Sequence, residues 1–174
     1  MVYLISKLGS LDKVKLMKLL YMCDREAFLA LGRPVTGDRQ FAMPYGPVPS
    51  KCLNLINESS PEDRFFRYIH VVDNQISVAK NHPELPSLEP DELQVLDRII
   101  DSYGNIETWA LRDLLHKAPE FKEFHQQGTS TLIPYEAMLK HHGSDDQFRH
   151  GRPVISAATA SHIRCPLPPA DADL

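Results

Sequence analysis

The stretch Leu11-Asp12-Lys13-Val14-Lys15-Leu16-Met17-Lys18-Leu19-Leu20-Tyr21-Met22-Cys23-Asp24-Arg25-Glu26-Ala27-Phe28-Leu29-Ala30-Leu31 reads as one helix. Ser10 stands ahead of it as an N-cap, since a serine oxygen accepts a bond from an orphan amide of the first turn. Gly32 follows, where a left-handed C-cap is cheapest. Wound at the helical period, Lys15, Lys18, Arg25 and Glu26 fall in one narrow sector, which reads as a solvated face. Apolar residues cover more than half the circumference. A surface helix needs a single apolar stripe, so this one is expected to be the central helix, packed on two sides. Asp24 interrupts the apolar sector. A carboxylate there must be paired or hydrogen-bonded, and the simplest partner is the backbone of the next loop; a site carboxylate with a shifted pKa is the sharper alternative.

That next loop, Gly32 to Ser50, holds four prolines and three glycines. Proline fixes φ and restricts the residue before it, and glycine permits positive φ. The segment therefore reads as rigid and shaped, with a short extended stretch at Arg39–Met43 and a tight turn at Tyr45-Gly46-Pro47. A helix is expected to start near Val48 or Ser50 and to end in a polar loop at Asn57–Pro61. Upstream, Tyr3–Leu8 reads as a short helix closed by Gly9.

Downstream, Phe65 to Val78 reads as a β-hairpin turning at Asp73-Asn74. That turn pairs Val71 with Ile76 and Ile69 with Val78. Phe65, Arg67 and these four then share one face, and Phe66, Tyr68, His70, Val72, Gln75 and Ser77 take the other. Two strands alone are marginal; the hairpin is expected to dock on helices, with Arg39–Met43 as a candidate third strand. Asn81–Pro90 is a proline-rich connector. A helix over Pro90–Tyr103 follows, closed by Gly104. Asn105 is the expected N-cap of another helix through Trp109, Ala110, Leu114 and Leu115, ending near His116. Pro119 opens a short turn, and Pro134 opens a last helix ending at Gly143. From Ser144 to Leu174 the chain becomes proline- and alanine-rich and reads as a mobile or partner-ordered tail. The fold class expected is mainly α with a small antiparallel hairpin (α+β), in one domain over 1–143 with a tail over 144–174.

The quoted segments carry a family resemblance. Lys18-Leu19-Leu20-Tyr21, Gly32-Arg33-Pro34, Thr36-Gly37-Asp38-Arg39 and Met43-Pro44-Tyr45-Gly46-Pro47-Val48 resemble the Panacea domain, the SocA-like antitoxin domain of bacterial and phage toxin–antitoxin systems. Asp101–Gly104, Leu111–His116 with Pro119-Glu120, and Ile133–Leu139 are similar to its later segments. The resemblance implies an antitoxin that neutralises a cognate toxin by direct protein–protein binding, with no catalysis of its own. It also implies a second partner for some members, the ClpXP protease, to which they hand the toxin as proteolytic adaptors. Tyr and Arg are enriched at interface anchors, so Arg33, Arg39 and Tyr45, with the rigid Gly46, Pro47 and Val48, are the candidate partner-binding residues.

Composition bounds the partners and the setting. A net charge of −4 with no basic run argues against nucleic acid as the main partner. Cys23, Cys52 and Cys165 show no paired spacing, which suits a reducing cytosol. No apolar run is long enough to span a bilayer, and Met1–Ile5 is too short for a signal-peptide core. No cofactor motif or metal-ligand spacing occurs among the eight histidines; His141 and His142 are adjacent and point apart on a helix. The rival functional classes are a small hydrolase or transferase built on Asp38 and His116, drawing also on Asp24 and Glu120, and a DNA-binding autoregulator. For Asp38 the plainer role is bonding turn amides, and for His116 it is closing a helix.

Overall fold

The computed structural model describes residues 1–58, 63–85 and 87–143. Its centre is helix α2, Lys13–Leu31, in which every residue from Leu16 to Asp24 is buried. A helix buried all round needs neighbours on every side. Helices α4 (Pro90–Tyr103), α5 (Thr108–His116) and α7 (Tyr135–His142) and a strand, β3 (Gly46–Pro49), supply them. Helix α1 (Val2–Leu8) buries Leu4 and Ile5 and packs on α4. The fold class is α+β, mainly helical.

The strands form two three-stranded antiparallel sheets. In one, β4 (Ile69–Val72) and β5 (Gln75–Val78) make the expected hairpin, with Val71 opposite Ile76 and Ile69 opposite Val78. Asp73 sits in the turn at φ +54°, a conformation that Asp tolerates better than most residues. The third strand is not Arg39–Met43 but β1, Leu11–Asp12, with Leu11 opposite Ile76. That pairing overrides the expected helix start: Leu11 is drawn into the sheet, and Asp12, not Ser10, caps α2 by accepting from the Lys15 amide at 2.9 Å. Phe65 and Arg67 lie in a 3-10 turn, Arg64–Arg67, so the strand begins only at Ile69.

The second sheet has β2 (Gln40–Met43) between β3 and β6 (Thr131–Ile133). Ile133 thus belongs to a strand ahead of the last helix. Ser50 begins α3, Ser50–Glu58. Glu107, not Asn105, caps α5, accepting from the amides of Trp109 and Ala110 at 2.8 and 3.1 Å. Its buried face is Leu111 and Leu115, while Trp109 and Leu114 are half exposed. Helix α6, Pro119–Phe124, is a single short element. Residues 59–61 of the polar loop and the 144–174 tail, Cys165 included, lie outside the described residues.

Gly104 ends α4 where α1 crosses it. A Cβ there would stand 2.6 Å from Leu8 Cδ2 and 2.5 Å from the Ile100 carbonyl oxygen. The expected outcome for Gly104→Ala is a loss of about 1–3 kcal/mol, read by urea unfolding, because overpacking a filled contact costs that much.

Candidate partner-binding corner and its buried charges

Two buried charged side chains of α2 hold the Gly32–Ser50 segment. Asp24 is fully buried. Its carboxylate accepts from the Thr36 amide at 2.7 Å, from the Thr36 hydroxyl, from Gln40 Nε2 at 2.7 Å and from the Tyr135 hydroxyl at 3.4 Å. Backbone bonding to the next loop is thus part of its role, with three side-chain donors added that the local reading did not reach. Burial pushes its pKa up to about 6, against the hydrogen bonds from Thr36 that favour the anion.

Asp38 continues the network. Its carboxylate accepts from the Arg39 amide at 2.6 Å and from the Cys52 amide at 2.8 Å, with Ser50 Oγ at 3.5 Å. Cys52 lies in the first turn of α3, so Asp38 satisfies an orphan amide of that helix from outside it. Its backbone carbonyl accepts from Tyr135 at 2.8 Å, which ties α7 to the same loop.

Lys18 does not lie on a solvated face. It is 1% exposed and donates to the Pro47 carbonyl at 2.9 Å. Burial, with a smaller push from the Arg112 charge, lowers its pKa to about 7. Of the four residues one turn away from Lys18 on α2, Val14, Tyr21 and Met22 are apolar and Lys15 is charged; that apolar majority was the available signal for its burial. Gly46, at φ +93°, lets the hairpin pass over it: a Cβ there would lie 3.0 Å from His116 Cδ2 and 3.1 Å from Lys18 Nζ.

Arg25, also assigned to the solvated sector, instead donates to Glu120 at 3.1 Å. Glu120 is fully buried and also accepts from the Tyr21 hydroxyl at 2.8 Å, with His142 Nε2 at 2.6 Å on its other oxygen. Burial opposes its ionisation, but the hydrogen bonds and the Arg25 charge hold its pKa below the usual value. Helices α2, α6 and α7 meet at this carboxylate.

Of the four acid/base residues, Asp24 and Asp38 share one hydrogen-bond network, Glu120 belongs to another, and His116 to neither. Among the described residues no hydrogen bond joins Asp38 to His116. His116 stacks on Phe121 with ring centroids 4.8 Å apart, and its Nε2 is buried without a hydrogen-bond partner. Burial first, then the Lys18 and Arg112 charges, lower its pKa.

The candidate binding residues divide as well. Tyr45, at the hairpin tip beside exposed Pro44, is 64% exposed. Arg39 is exposed and lies over the Phe41 ring at 5.8 Å. Arg33 pairs with Asp91 and Glu92 of α4. Gly46, Pro47 and Val48 are buried in β3. Trp109, which the sequence placed in a helix without assigning it a face, is half exposed with Arg112 5.0 Å over its ring.

With this geometry in place, the comparison with protein families is decisive: the model for the antitoxin SocA-like, Panacea domain matches residues 16–122. The chain belongs to that family. The matched segment runs from the buried start of α2 through the Asp24–Asp38 loop and the Tyr45 hairpin to α6. Comparison with curated proteins and with solved structures gives no match. Among the described residues no helix is long and apolar enough to cross a membrane, and no group of three or more His, Cys, Asp or Glu is placed to hold a metal ion.

Asp24→Ala leaves its donors unmatched and should cost about 3 kcal/mol or more by urea unfolding. Asp24→Asn should cost less, since Gln40 Oε1 has no partner and a flipped amide can face the new NH2 group. The folded pKa of Asp24 is raised from 3.8 to about 6. The folded state therefore keeps a proton that the unfolded state has lost, and stability falls as pH rises through this window. The wild-type minus Asp24→Asn difference should show that fall. For Lys18 the folded pKa is lowered from 10.5 to about 7, so the unfolded state binds more protons between these values and stability rises with pH across them. Lys18→Met should remove this rise, measured as unfolding midpoints from pH 7 to 10.

Proposed function

We propose that this chain is an antitoxin that neutralises a cognate protein toxin by direct binding and needs no reaction of its own to do so. Membership of the SocA-like antitoxin family carries the reading. The corner geometry supports a steric mechanism. The segment that presents Tyr45 is stiffened by prolines and fastened from beneath by Lys18 and Asp24. A preformed surface loses less entropy on binding than a loop that must order. Tyr45 and Arg39 are the contact residues, Gly46, Pro47 and Val48 the buried support, and Arg33 the tie that holds the loop to α4. Trp109 and Arg112 add candidate contacts from α5, the helix that packs against β3. Tyr, Trp and Arg are the residue types that most often dominate interface energy.

In this reading residues 1–143 form the neutralising domain and 144–174 an arm that adds toxin-specific contacts. The setting is the cytoplasm of a bacterium, in a chromosomal or phage-borne operon. The bound toxin is either blocked outright or delivered to the ClpXP protease.

The test is co-expression of the neighbouring reading frame with and without this protein. The expected result is arrested growth with the neighbour alone, rescue by this chain, and a complex that co-purifies. A harmless neighbour, or a lethal one that this chain neither binds nor rescues, overturns the reading. Tyr45→Ala should weaken the purified complex about ten-fold or more, with thermal unfolding unchanged. The toxin's half-life with and without ClpX separates delivery from plain inhibition.

A further inference from the structure

The β4–β5 hairpin has a second face that the corner does not use. Ile69 and Ile76 are buried beneath it, while His70, Val72 and Gln75 stand exposed on the other side. The Arg64–Arg67 turn before β4 and the Lys80-Asn81 segment after β5 border this face. Together they make an open hollow of about 510 Å³, lined by Phe66, Arg67, His70, Ser77, Lys80 and Asn81, among others.

Its charge is one-sided. Arg67, His70 and Lys80 are exposed, and among the described residues none of them has an ion pair or a side-chain hydrogen bond. No carboxylate is among the described residues that line the hollow. Arg25, Arg33, Arg112 and Lys140 each lie against a carboxylate of this chain, whereas Lys51, Arg98, Lys117 and Lys122 are exposed with no ion pair among the described residues, as the cations of the hollow are; what is particular to the hollow is that two such cations share one concave surface. On a chain of net charge −4, a concave surface with unneutralised cations and an aromatic wall stands out.

We propose that this hollow receives an acidic segment of the partner protein. Its carboxylates face Arg67 and Lys80, His70 and Asn81 donate hydrogen bonds, and an apolar side chain packs on Phe66. The partner's being a protein toxin rests on the antitoxin reading above; the acidic chemistry rests on the hollow itself. Nucleic acid fits less well. Its affinity grows with the number of phosphates neutralised at once, and two permanent cations on a negatively charged chain neutralise few. One or two carboxylates are matched by the same groups, and complementary charge also steers the encounter.

The probe is a blocked Glu-Glu-Phe-Glu peptide, titrated at low salt into the full 15N-labelled chain, with blocked Gln-Gln-Phe-Gln and a dT12 oligonucleotide as parallel arms. The expected result is saturable amide shifts at Arg67, His70 and Lys80 with the acidic peptide and none with the glutamine peptide. Arg67→Glu with Lys80→Glu should weaken binding at least about ten-fold, with Arg67→Lys retaining it and the melting temperature unchanged in each. No saturation, equal shifts with the glutamine peptide, or tighter binding of dT12 overturns the proposal. The double variant is then put through the co-expression assay. If the wild type neutralises the toxin and the double variant binds it equally well, the hollow is not the contact and the antitoxin reading stands. If the wild type fails to neutralise anything yet the peptide saturates the hollow, the acidic-segment site stands and the toxin reading falls.

Discussion

A helix without an exposed side between Leu16 and Asp24 still carries a lysine and an aspartate in that span. Neither charge reaches water, so each must find its partners within the protein or be lost as a charge. Both find them in the same segment. Lys18 holds the Pro47 carbonyl, and Asp24 holds Thr36 and Gln40. The two points are six residues apart on α2, about 9 Å along the axis and well apart around it. They therefore fix the orientation of the loop as well as its position. Asp38 passes the constraint to α3 through the Cys52 amide, and Tyr135 passes it to α7.

The arrangement costs stability, as the opposed pKa shifts show. Burial raises that of Asp24 and lowers that of Lys18, so in both cases the protein disfavours the charged form that its hydrogen bonds use. An apolar pair could fill the space with less penalty, because desolvating a charge is rarely repaid in full. What polar groups add is direction: a hydrogen bond names its partner, whereas apolar contact accepts any surface of the right shape. For a scaffold whose exposed product is the Tyr45 tip, a fixed direction matters. The stiffness of the tip then comes from two sources, prolines that limit the backbone locally and buried bonds that anchor it from below.

What could be read beforehand was what local chemistry decides. The β4–β5 register followed from the alternation of Ile69, Val71, Ile76 and Val78 around a turn residue that accepts positive φ. Gly32 and Pro90 marked helix ends for the same local reason. The buried role of Asp24 followed from the cost of a lone carboxylate among apolar neighbours. What escaped depends on contacts far along the chain. Leu11 leaves the helix because Ile76 offers it a strand partner. Lys18 and Arg25 read as solvated because lysine and arginine usually are; their burial is set by Pro47 and Glu120, 29 and 95 residues away. A helix through Trp109 and Leu114 was legible but its buried face was not: α5 buries Leu111 and Leu115 and leaves Trp109 and Leu114 half exposed. The Tyr45 segment was singled out as a whole, although its exposed part is the tip and its Gly-Pro-Val part is a buried strand.

The family match and the packed core do not end at the same residue. The match stops at residue 122. Beyond it, β6 pairs with β2 along Gln40–Ala42, and Ile133 and Met138 enter the common core. Tyr135 then completes the Asp24–Asp38 network, and His142 occupies the second oxygen of buried Glu120. Without these elements β2 would present a bare edge, and two buried carboxylates would lose a donor each. An unpaired edge invites association with other chains, and an under-bonded buried carboxylate is destabilising. Residues 131–142 are therefore part of what makes the matched segment a stable scaffold, and the physical unit is longer than the stretch in which the family signature lies.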